Sequence, residues 1–317
     1  MTIGRRMLLG SALALAASAA ARAQARFTLG VIAFQMSSET HARVANTVQA
    51  AAQQRGWQAT VLNSRGDMAT HASQIENLIQ ARVGAIVVAM GKPVETDQQL
   101  AAARAANIPI VTVMSGTSPH TLFDIQVNEY SVGAQAALYL LGQLNYRGAI
   151  LEQRFDGNVG TRIRGRILDA VLAENSAVTV LGAHTMARTA SWQDDVRAGM
   201  SALLLRHQGR VNGIWASFDG QAYIIDDLLQ QNGGRRGNPV LVSIDGGPET
   251  YRRIADPQST LMASVAIPFE EMGRRAVDAV ERIVVRNEPR ESIVQGPYLY
   301  MDAVLVDQHN VRQFLTN

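Results

Sequence analysis

The sequence contains no cysteine in its 317 residues, so disulfides are excluded and stability must come from packing. Aromatic residues make up only 5%, and Lys92 is the one lysine among 29 basic residues. The six histidines form no His-x-x-x-His pair, and without cysteine the sequence offers no zinc-ligand pattern. No metal and no cofactor is therefore expected.

Catalytic motifs are also missing. The first apolar strand lacks the Gly-x-Gly-x-x-Gly of dinucleotide-binding proteins, and neither a Walker A motif nor a Gly-x-Ser-x-Gly elbow occurs. The segment "GNVGTRIRG" at 157–165 matches no phosphate loop in its spacing. Because no nucleophile stands with a base, we expect a protein that is not an enzyme. A general base at Asp219 or Asp245 is the alternative.

Residues 1–23 have the pattern of an export signal. Arg5 and Arg6 precede an apolar stretch, Met7–Ala21, which is too short to span a membrane, and an Ala-x-Ala motif stands at Ala21–Ala23. Adjacent arginines fit the twin-arginine route, and an ordinary secretory route is the alternative. Removing these residues takes away three arginines and no acid, so the net charge changes from +2 to −1. The expected location is the periplasm, and a nucleic-acid partner loses its electrostatic support.

From Arg26 onward, fully apolar runs alternate with helical patterns, and the alternation restarts near residue 130. Strands that are apolar along their whole length and separated by helices predict parallel sheets covered on both faces. The length fits two domains. The predicted fold is therefore α/β, with two doubly wound parallel-sheet lobes in tandem. Near the end, "PYLYMDAVLV" at 297–306 is predicted to be one extended segment.

Two apolar runs end in Asp-Gly, at Asp219–Gly220 and Asp245–Gly246. In open parallel sheets, ligands bind beyond the carboxyl ends of the strands, so both carboxylates are candidate ligand groups. Turn formation or helix capping is the structural alternative. For Asp219, the main alternative is that it caps the following helix, "QAYIIDDLLQQ", and orients the end of the strand.

Five phrases in order carry a resemblance to a known family: "QIENLIQARVGAIVVA", "AARAANIPIVTV", "DIQVNEYSVGAQAALYL", "SIDGGPETYRRI" and "ASVAIPFEEMGRRAVDAV". Together they resemble the type I periplasmic sugar-binding proteins that serve ABC importers, over essentially all of residues 26–317. Related repressors carry an N-terminal helix-turn-helix, which this sequence lacks.

The resemblance implies an N-terminal lobe of residues 26–127 plus 267–292 and a C-terminal lobe of 128–266 plus 293–317. Three crossovers, near Val127–Asn128, Ala266–Ile267 and Ser292–Gln295, would form a hinge that closes on a ligand. The implied partners are a small-molecule solute and an ABC transporter permease, and the protein is expected to be a monomer.

The second lobe keeps most of the family's binding pattern. Asp245 matches the sugar-binding aspartate, Arg164 the ligand-binding arginine, and Trp192 a stacking aromatic. Asp219 matches the acid of the family's Asn-Asp pair, whereas Phe218 replaces the Asn.

The first lobe departs more from the family's pattern of ligand-binding residues. Ser38 and His41 stand where the family has an amide and a ring, and Met114–Ser115 replaces Asp-Arg. Ala89 and Ala266 replace further polar residues, and Glu129 stands at the second of a paired Asp-Asn. Lys92, just past the third strand, is either a ligand group or a solvated loop residue. The candidate ligand-binding residues are Asp245, Arg164, Trp192, Asp219, Phe218, Ser38, His41, Lys92, Ser115 and Glu129.

The resemblance therefore implies a periplasmic solute-binding protein of an ABC importer that takes a small sugar or polyol. Two alternatives stay open. If Lys92, His41 and Arg164 all served the site, an anionic solute such as a sugar acid would fit better, and the protein could instead feed a chemoreceptor or sensor kinase. The solute, its affinity, the permease and the export route are not determined by the sequence.

Overall fold

The computed structural model describes residues 27–189 and 191–315. The expected export signal, residues 1–23, lies outside the described residues. Within them, no helix has the length and apolar character needed to cross a membrane.

In chain order, the strands and helices are β1 (Thr28–Ala33), α1 (Glu39–Gln54), β2 (Gln58–Asn63), α2 (Met68–Gln80), β3 (Ala85–Ala89), α3 (Asp97–Ala105), β4 (Ile110–Val113), β5 (Phe123–Val127), α4 (Glu129–Gln143), β6 (Gly148–Arg154), α5 (Val159–Ala173), β7 (Val178–Thr185), α6 (Trp192–Arg206), β8 (Gly213–Ala216), α7 (Asp219–Gln231), β9 (Val240–Asp245), α8 (Pro248–Ala255), β10 (Leu261–Ala266), α9 (Phe269–Val280), β11 (Tyr298–Met301) and β12 (Val304–Asp307). A π-helical turn, Glu281–Val285, continues α9.

The described chain divides into two compact units. One contains the residues up to Ile125 together with Glu270–Leu299, and the other contains Gln126–Phe269 together with the residues from Tyr300 onward. The chain therefore passes from one unit to the other three times. That these passages act as a hinge stays a prediction.

The first unit is built on a six-stranded sheet in the order β11-β5-β4-β3-β1-β2. Strands β1 to β5 pair in parallel, and every residue of β3 and β4 is buried, as expected for strands covered on both faces. The core between the sheet and α2 contains Ile32, Ile75 and Ile86.

The second unit repeats the pattern, in the order β12-β10-β9-β8-β6-β7. Strands β6 to β10 pair in parallel, and β12 adds an antiparallel edge. Trp215 in β8 is the largest fully buried side chain of the described chain. The predicted α/β fold class, with two doubly wound sheets, is confirmed.

Strand order places a ligand-binding edge in each unit. β1 lies between β2 and β3, and β6 lies between β7 and β8, so the strand order reverses at β1 and at β6. Ligands of doubly wound sheets bind beyond the carboxyl ends of the strands at such points. The loops after β1 and β3 and those after β6 and β8 are therefore candidates to position a site, and β9 lies directly beside β8.

The segment 297–306, predicted to be one extended run, forms two strands that belong to different sheets. β11 joins the edge of the first sheet next to β5, and β12 joins the edge of the second next to β10. The chain leaves the first unit for the last time at Leu299–Tyr300, within β11, rather than near 292–295. The other two passages occur at Ile125–Gln126 and Phe269–Glu270.

Candidate functional site

Arg164 is the centre of a buried ion network in the second unit. Its guanidinium donates two hydrogen bonds to Glu129, at 2.6 and 3.1 Å, and one to Asp245 at 3.0 Å. A fourth goes to the backbone carbonyl of Ser217, also at 3.0 Å. Such bidentate, charge-assisted bonds fix the orientation of an arginine.

Local sequence explains why Arg164 reaches this position. Asn158 caps α5, its side chain accepting a hydrogen bond from the backbone N–H of Gly160 at 2.8 Å. A Cβ at Gly133 of α4 would lie only 3.0 Å from the Cα of Arg164. Glycine at 133 therefore permits the close packing of α4 on α5 that brings Glu129 and Arg164 together.

The network holds one positive group against two carboxylates. Burial raises the pKa of Asp245 to about 7, although Arg164 opposes this effect. Burial works against the charge of Arg164 as well, but Glu129 and Asp245 hold its pKa above the ordinary value. When Asp245 is ionised, the three groups therefore carry a net charge of −1.

Asp245 ends β9 in an unusual backbone conformation. Its φ is 133°, and Gly246 and Gly247 follow with φ of 70° and 147°. A Cβ at Gly246 would lie 2.5 Å from the Cβ of Ala266, so this turn packs too closely against β10 for a larger residue. One oxygen of Asp245 faces Arg164, and the other has no hydrogen-bond donor within the part of the chain that the structure describes. That second oxygen can accept a hydrogen bond from a ligand hydroxyl.

Asp219 has a different environment. Its first oxygen accepts from the hydroxyls of Ser243 and of Ser264, the latter at 2.8 Å. Its second accepts from the backbone N–H of Gly246 at 2.7 Å and from the Thr250 hydroxyl at 2.5 Å. Burial raises the pKa of Asp219, and these donors oppose the shift. With two donors on each oxygen, the carboxylate is fully hydrogen bonded inside the protein.

The capping part of the alternative for Asp219 is wrong. Phe218 occupies the N-cap position of α7 and Asp219 is the first helical residue, whose side chain turns to β9, β10 and α8. The donors in β9, β10 and α8 determine where the Asp219 side chain points. Because these donors are distant from Asp219 in sequence, the local pattern did not predict this orientation.

Three aromatic rings meet at the carboxyl ends of β6 and β8. The Phe218 ring lies 5.6 Å from Trp192 and 6.2 Å from Phe155, in tilted and edge-on arrangements. A Cβ at Gly220 would lie 3.1 Å from Phe218 and 3.2 Å from Trp192, so glycine leaves space for the rings. Sequence reasoning missed Phe155, although its position directly after β6 was a usable signal.

In the first unit, Phe34 follows β1 and gathers three basic side chains. Its ring lies 6.4 Å from His41 and 5.7 Å from His71, and the Lys92 Nζ lies 5.7 Å from its centroid. Burial lowers the pKa of both histidines to about 4, so both are neutral at pH 7. Sequence reasoning missed Phe34 and His71. His71 lies four residues before Ile75 on the buried face of α2. This spacing could have predicted from the sequence that the His71 side chain is buried.

Other predicted residues of the first unit have partners of their own. Lys92 forms an ion pair with Glu95 at 3.1 Å. The Ser38 hydroxyl lies 3.2 Å from that of Thr40 and makes no capping bond to α1. The Ser115 hydroxyl contacts the carbonyl of Val113 at 2.9 Å and accepts from the N–H of Gly91 at 2.9 Å. Ser115 thus connects the ends of β3 and β4.

The structure therefore brings most of the predicted residues together in three groups, two in the second unit and one in the first. Asp245, Arg164 and Glu129 form the ion network of the second unit, and Phe218 and Trp192 form its ring group together with Phe155. In the first unit, His41 and Lys92 both contact Phe34. Among the described side chains, no group of acidic and histidine residues is arranged to hold a metal ion.

Comparison with known proteins identifies the family. The model of the periplasmic binding protein domain matches residues 29–288. The chain belongs to this family. A xylitol-binding protein of Mycolicibacterium smegmatis is 30% identical over 190 residues, which cover 58% of this chain and 52% of that protein. The match thus spans about half the length of this curated relative.

Solved structures show the same fold. A sugar ABC transporter subunit from Rhodobacter sphaeroides is 26% identical, with a TM-score of 0.76 over 89% of this chain and 98% of that one. A solute-binding protein from Agrobacterium vitis with bound allitol is 23% identical, with a TM-score of 0.78 over 90% and 97% of the two chains. Both confirm the type I periplasmic binding protein architecture.

Proposed function

We propose that the protein is the periplasmic solute-binding component of an ABC importer and that its solute is a small neutral sugar or polyol. The observation that carries the proposal is the arrangement of Asp245, whose carboxylate is held by Arg164 on one oxygen and is open on the other. A carboxylate with an open oxygen is a strong acceptor for the hydroxyl groups of such solutes.

The ring group supports the same class of solute. Sugars and polyols present C–H groups between their hydroxyls, and these pack on aromatic faces. Phe155, Phe218 and Trp192 lie at the same carboxyl edge of the second sheet as Ser217, whose carbonyl accepts from Arg164. Polar and aromatic groups thus lie at the same edge of the sheet. Small-molecule sites typically combine an aromatic lining with a few polar groups in this way.

Charge favours a neutral solute over an anionic one. Arg164 faces two carboxylates and Lys92 is paired with Glu95. His41 is neutral at pH 7, because burial lowers its pKa to about 4. The cations that would have favoured a sugar acid are therefore compensated, and the Arg164 network has no net positive charge to attract an anion.

Similarity supports the remaining parts of the proposal. The relative from Mycolicibacterium smegmatis is named for xylitol, and the structure from Agrobacterium vitis holds allitol. Like other family members, the protein would bind and release its solute without making or breaking a bond, deliver it to a permease and act as a monomer.

The test is a thermal-shift screen of the purified mature protein against pentitols, hexitols, aldopentoses and sugar acids. A solute at 100 times its dissociation constant adds about 2.7 kcal/mol to the free energy of unfolding, which raises the melting temperature measurably. We expect neutral compounds to do so. A response confined to sugar acids would contradict the proposed solute class, and mass spectrometry of the incubated solute would reveal any product of an enzyme.

A further inference from the structure

Asp219 holds a cluster of four donors that surround the turn carrying Asp245. The Asp219 cluster consists of Asp219, Ser243, Gly246, Thr250 and Ser264. Its members come from α7, β9, the turn after β9, α8 and β10. One buried carboxylate thus connects α7, α8 and β10 to the carboxyl end of β9.

We infer that Asp219 is a positioning residue of the solute site and does not itself contact the solute. This inference rests on the proposed function and reassigns a residue that the sequence had placed among the ligand groups. Both oxygens of Asp219 are occupied, and its side chain is buried, so it offers no acceptor to a hydroxyl. Its effect on binding would pass through Asp245.

The link between the two aspartates is the turn itself. Asp245, Gly246 and Gly247 all have positive φ, a conformation that an aspartate adopts only when its surroundings impose it. The N–H of Gly246 donates to Asp219 at 2.7 Å and lies 3.2 Å from the Ser264 hydroxyl. These bonds oppose relaxation of φ at Asp245. Relaxation there would swing the carboxylate away from Arg164.

A second aspartate of the same unit offers a comparison. Asp226 is also buried, and it accepts from the Ser259 hydroxyl at 2.9 Å and from the N–H and hydroxyl of Thr260 at 2.7 Å each. Ser259 precedes β10, whereas Ser264 lies near its carboxyl end. Loss of either serine removes one buried hydrogen bond to an aspartate, but only Ser264 belongs to the cluster at the turn.

The experiment is a double-mutant cycle on solute affinity, measured by calorimetric titration with the best neutral solute of the screen. Asp219→Asn places an amide where two donors converge and should weaken binding at least about tenfold. Because Asp219 acts through Asp245, the double variant Asp219→Asn/Asp245→Asn should bind within about twofold of Asp245→Asn. Losses that multiply would overturn the inference, as would wild-type affinity of Asp219→Asn.

Smaller changes keep the test valid if Asp219→Asn does not fold. Ser264→Ala removes one donor to Asp219 and should weaken binding by about three- to tenfold, again with no further loss when combined with Asp245→Asn. The matched control is Ser259→Ala, which should lower the melting temperature similarly and leave affinity unchanged. Equal affinity losses in the two serine variants would assign Asp219 a general structural role only.

A readout without solute separates this inference from the proposed function. Crystal structures of the wild type and of Ser264→Ala or Asp219→Asn should show the contact between Arg164 and Asp245 lost or lengthened in the variant. If no sugar or polyol binds the wild type, the proposed function fails while this comparison still decides the role of Asp219. If the turn at Asp245–Gly247 and the contact between Arg164 and Asp245 were unchanged in the variants, the positioning role of Asp219 would be refuted.

Discussion

Glu129 and Arg164 form a two-point ion pair, with Glu129 Oε2 2.6 Å from Nε and Oε1 3.1 Å from Nη2. Their side chains are 8% and 4% exposed. Glu129 follows the end of β5 by two residues, so the pair connects the chain just after its first passage between units with the arginine of the site. Both oxygens of Glu129 are engaged, which favours a role in orienting Arg164 over contact with solute.

Replacing Glu129 with Gln should lower the free energy of unfolding by about 3 kcal/mol, because removing one partner leaves a buried charge poorly compensated. The amide of Gln also directs N–H groups at the N–H groups of Arg164. Chemical unfolding of the variant beside the wild type measures the effect.

The control for that change is Glu271→Gln in α9. Glu271 pairs with Arg274 and Arg275, whose side chains are 55% and 57% exposed, at 2.8 and 3.0 Å. Solvent screens such pairs, so the loss should stay below about 1 kcal/mol. A similar loss of unfolding free energy in both variants would mean that burial does not make the Glu129–Arg164 pair more important for stability than an exposed pair.

Asp245→Asn should weaken solute binding by about ten- to over a hundredfold. The change removes the charge from the acceptor, and one charge-assisted hydrogen bond contributes about 1.5–3 kcal/mol. Calorimetric titration with a neutral solute measures the loss. Wild-type affinity in this variant would place the solute elsewhere or favour an anionic one.

Trp192 should report binding through its fluorescence. The chain has three tryptophans, and Trp215 is fully buried in β8 whereas Trp57 packs 4.6 Å from Phe27 in the first unit. A solute that stacks at the ring group changes the surroundings of Trp192. We expect a saturable change in emission that persists in Trp57→Phe and is lost in Trp192→Phe. A signal that survives in Trp192→Phe would argue against contact at these rings.

Asp124 should make stability fall as the pH rises from about 4 to 7. Burial raises its pKa from 3.8 to about 7, and its Oδ2 is buried without a hydrogen-bond partner among the described atoms. Within this range the folded state holds a proton that the unfolded state releases, so folding loses about 1.4 kcal/mol per pH unit. Above pH 7 the effect levels off.

Asp124→Asn cannot ionise and should gain stability relative to the wild type across that range. The comparison cancels His41 and His71, whose lowered pKa values act in the opposite sense and remove stability as the pH falls from 6.5 to about 4. Unfolding curves at pH 4.5, 6 and 8 provide the measurement. A constant difference at all three would show that Asp124 does not titrate in this range.

The sequence predicted the fold well, because apolar runs such as "AIVVA" and "VLVSI" are local signals of strands covered on both faces. It failed at 297–306, where β11 and β12 have the same extended pattern but join different sheets. Local periodicity indicates that a strand forms and does not specify its partner.

The sequence predicted which aspartates lie at strand ends, but not which hydrogen bonds each of them makes. Asp219 and Asp245 both follow strands and both precede glycine, yet one is saturated by four donors and the other has an open oxygen. The difference comes from Ser243, Thr250 and Ser264, which only the tertiary fold brings to Asp219. In the same way, the charges of Lys92 and Arg164 are compensated by acidic side chains whose contacts the sequence did not predict.

The two strands near the C-terminus have a consequence for how the protein resists aggregation. β11 covers the edge at β5 and β12 covers the edge at β10, and only Asp302 and Ala303 separate them. Loss of this short segment by proteolysis would make β5 and β10, whose residues are mostly buried, the edge strands of the two sheets. Exposed strand edges recruit other chains. Residues 298–307 thus keep these buried strands away from the edges and give each sheet a four-residue edge strand, which offers a shorter template for intermolecular β-pairing.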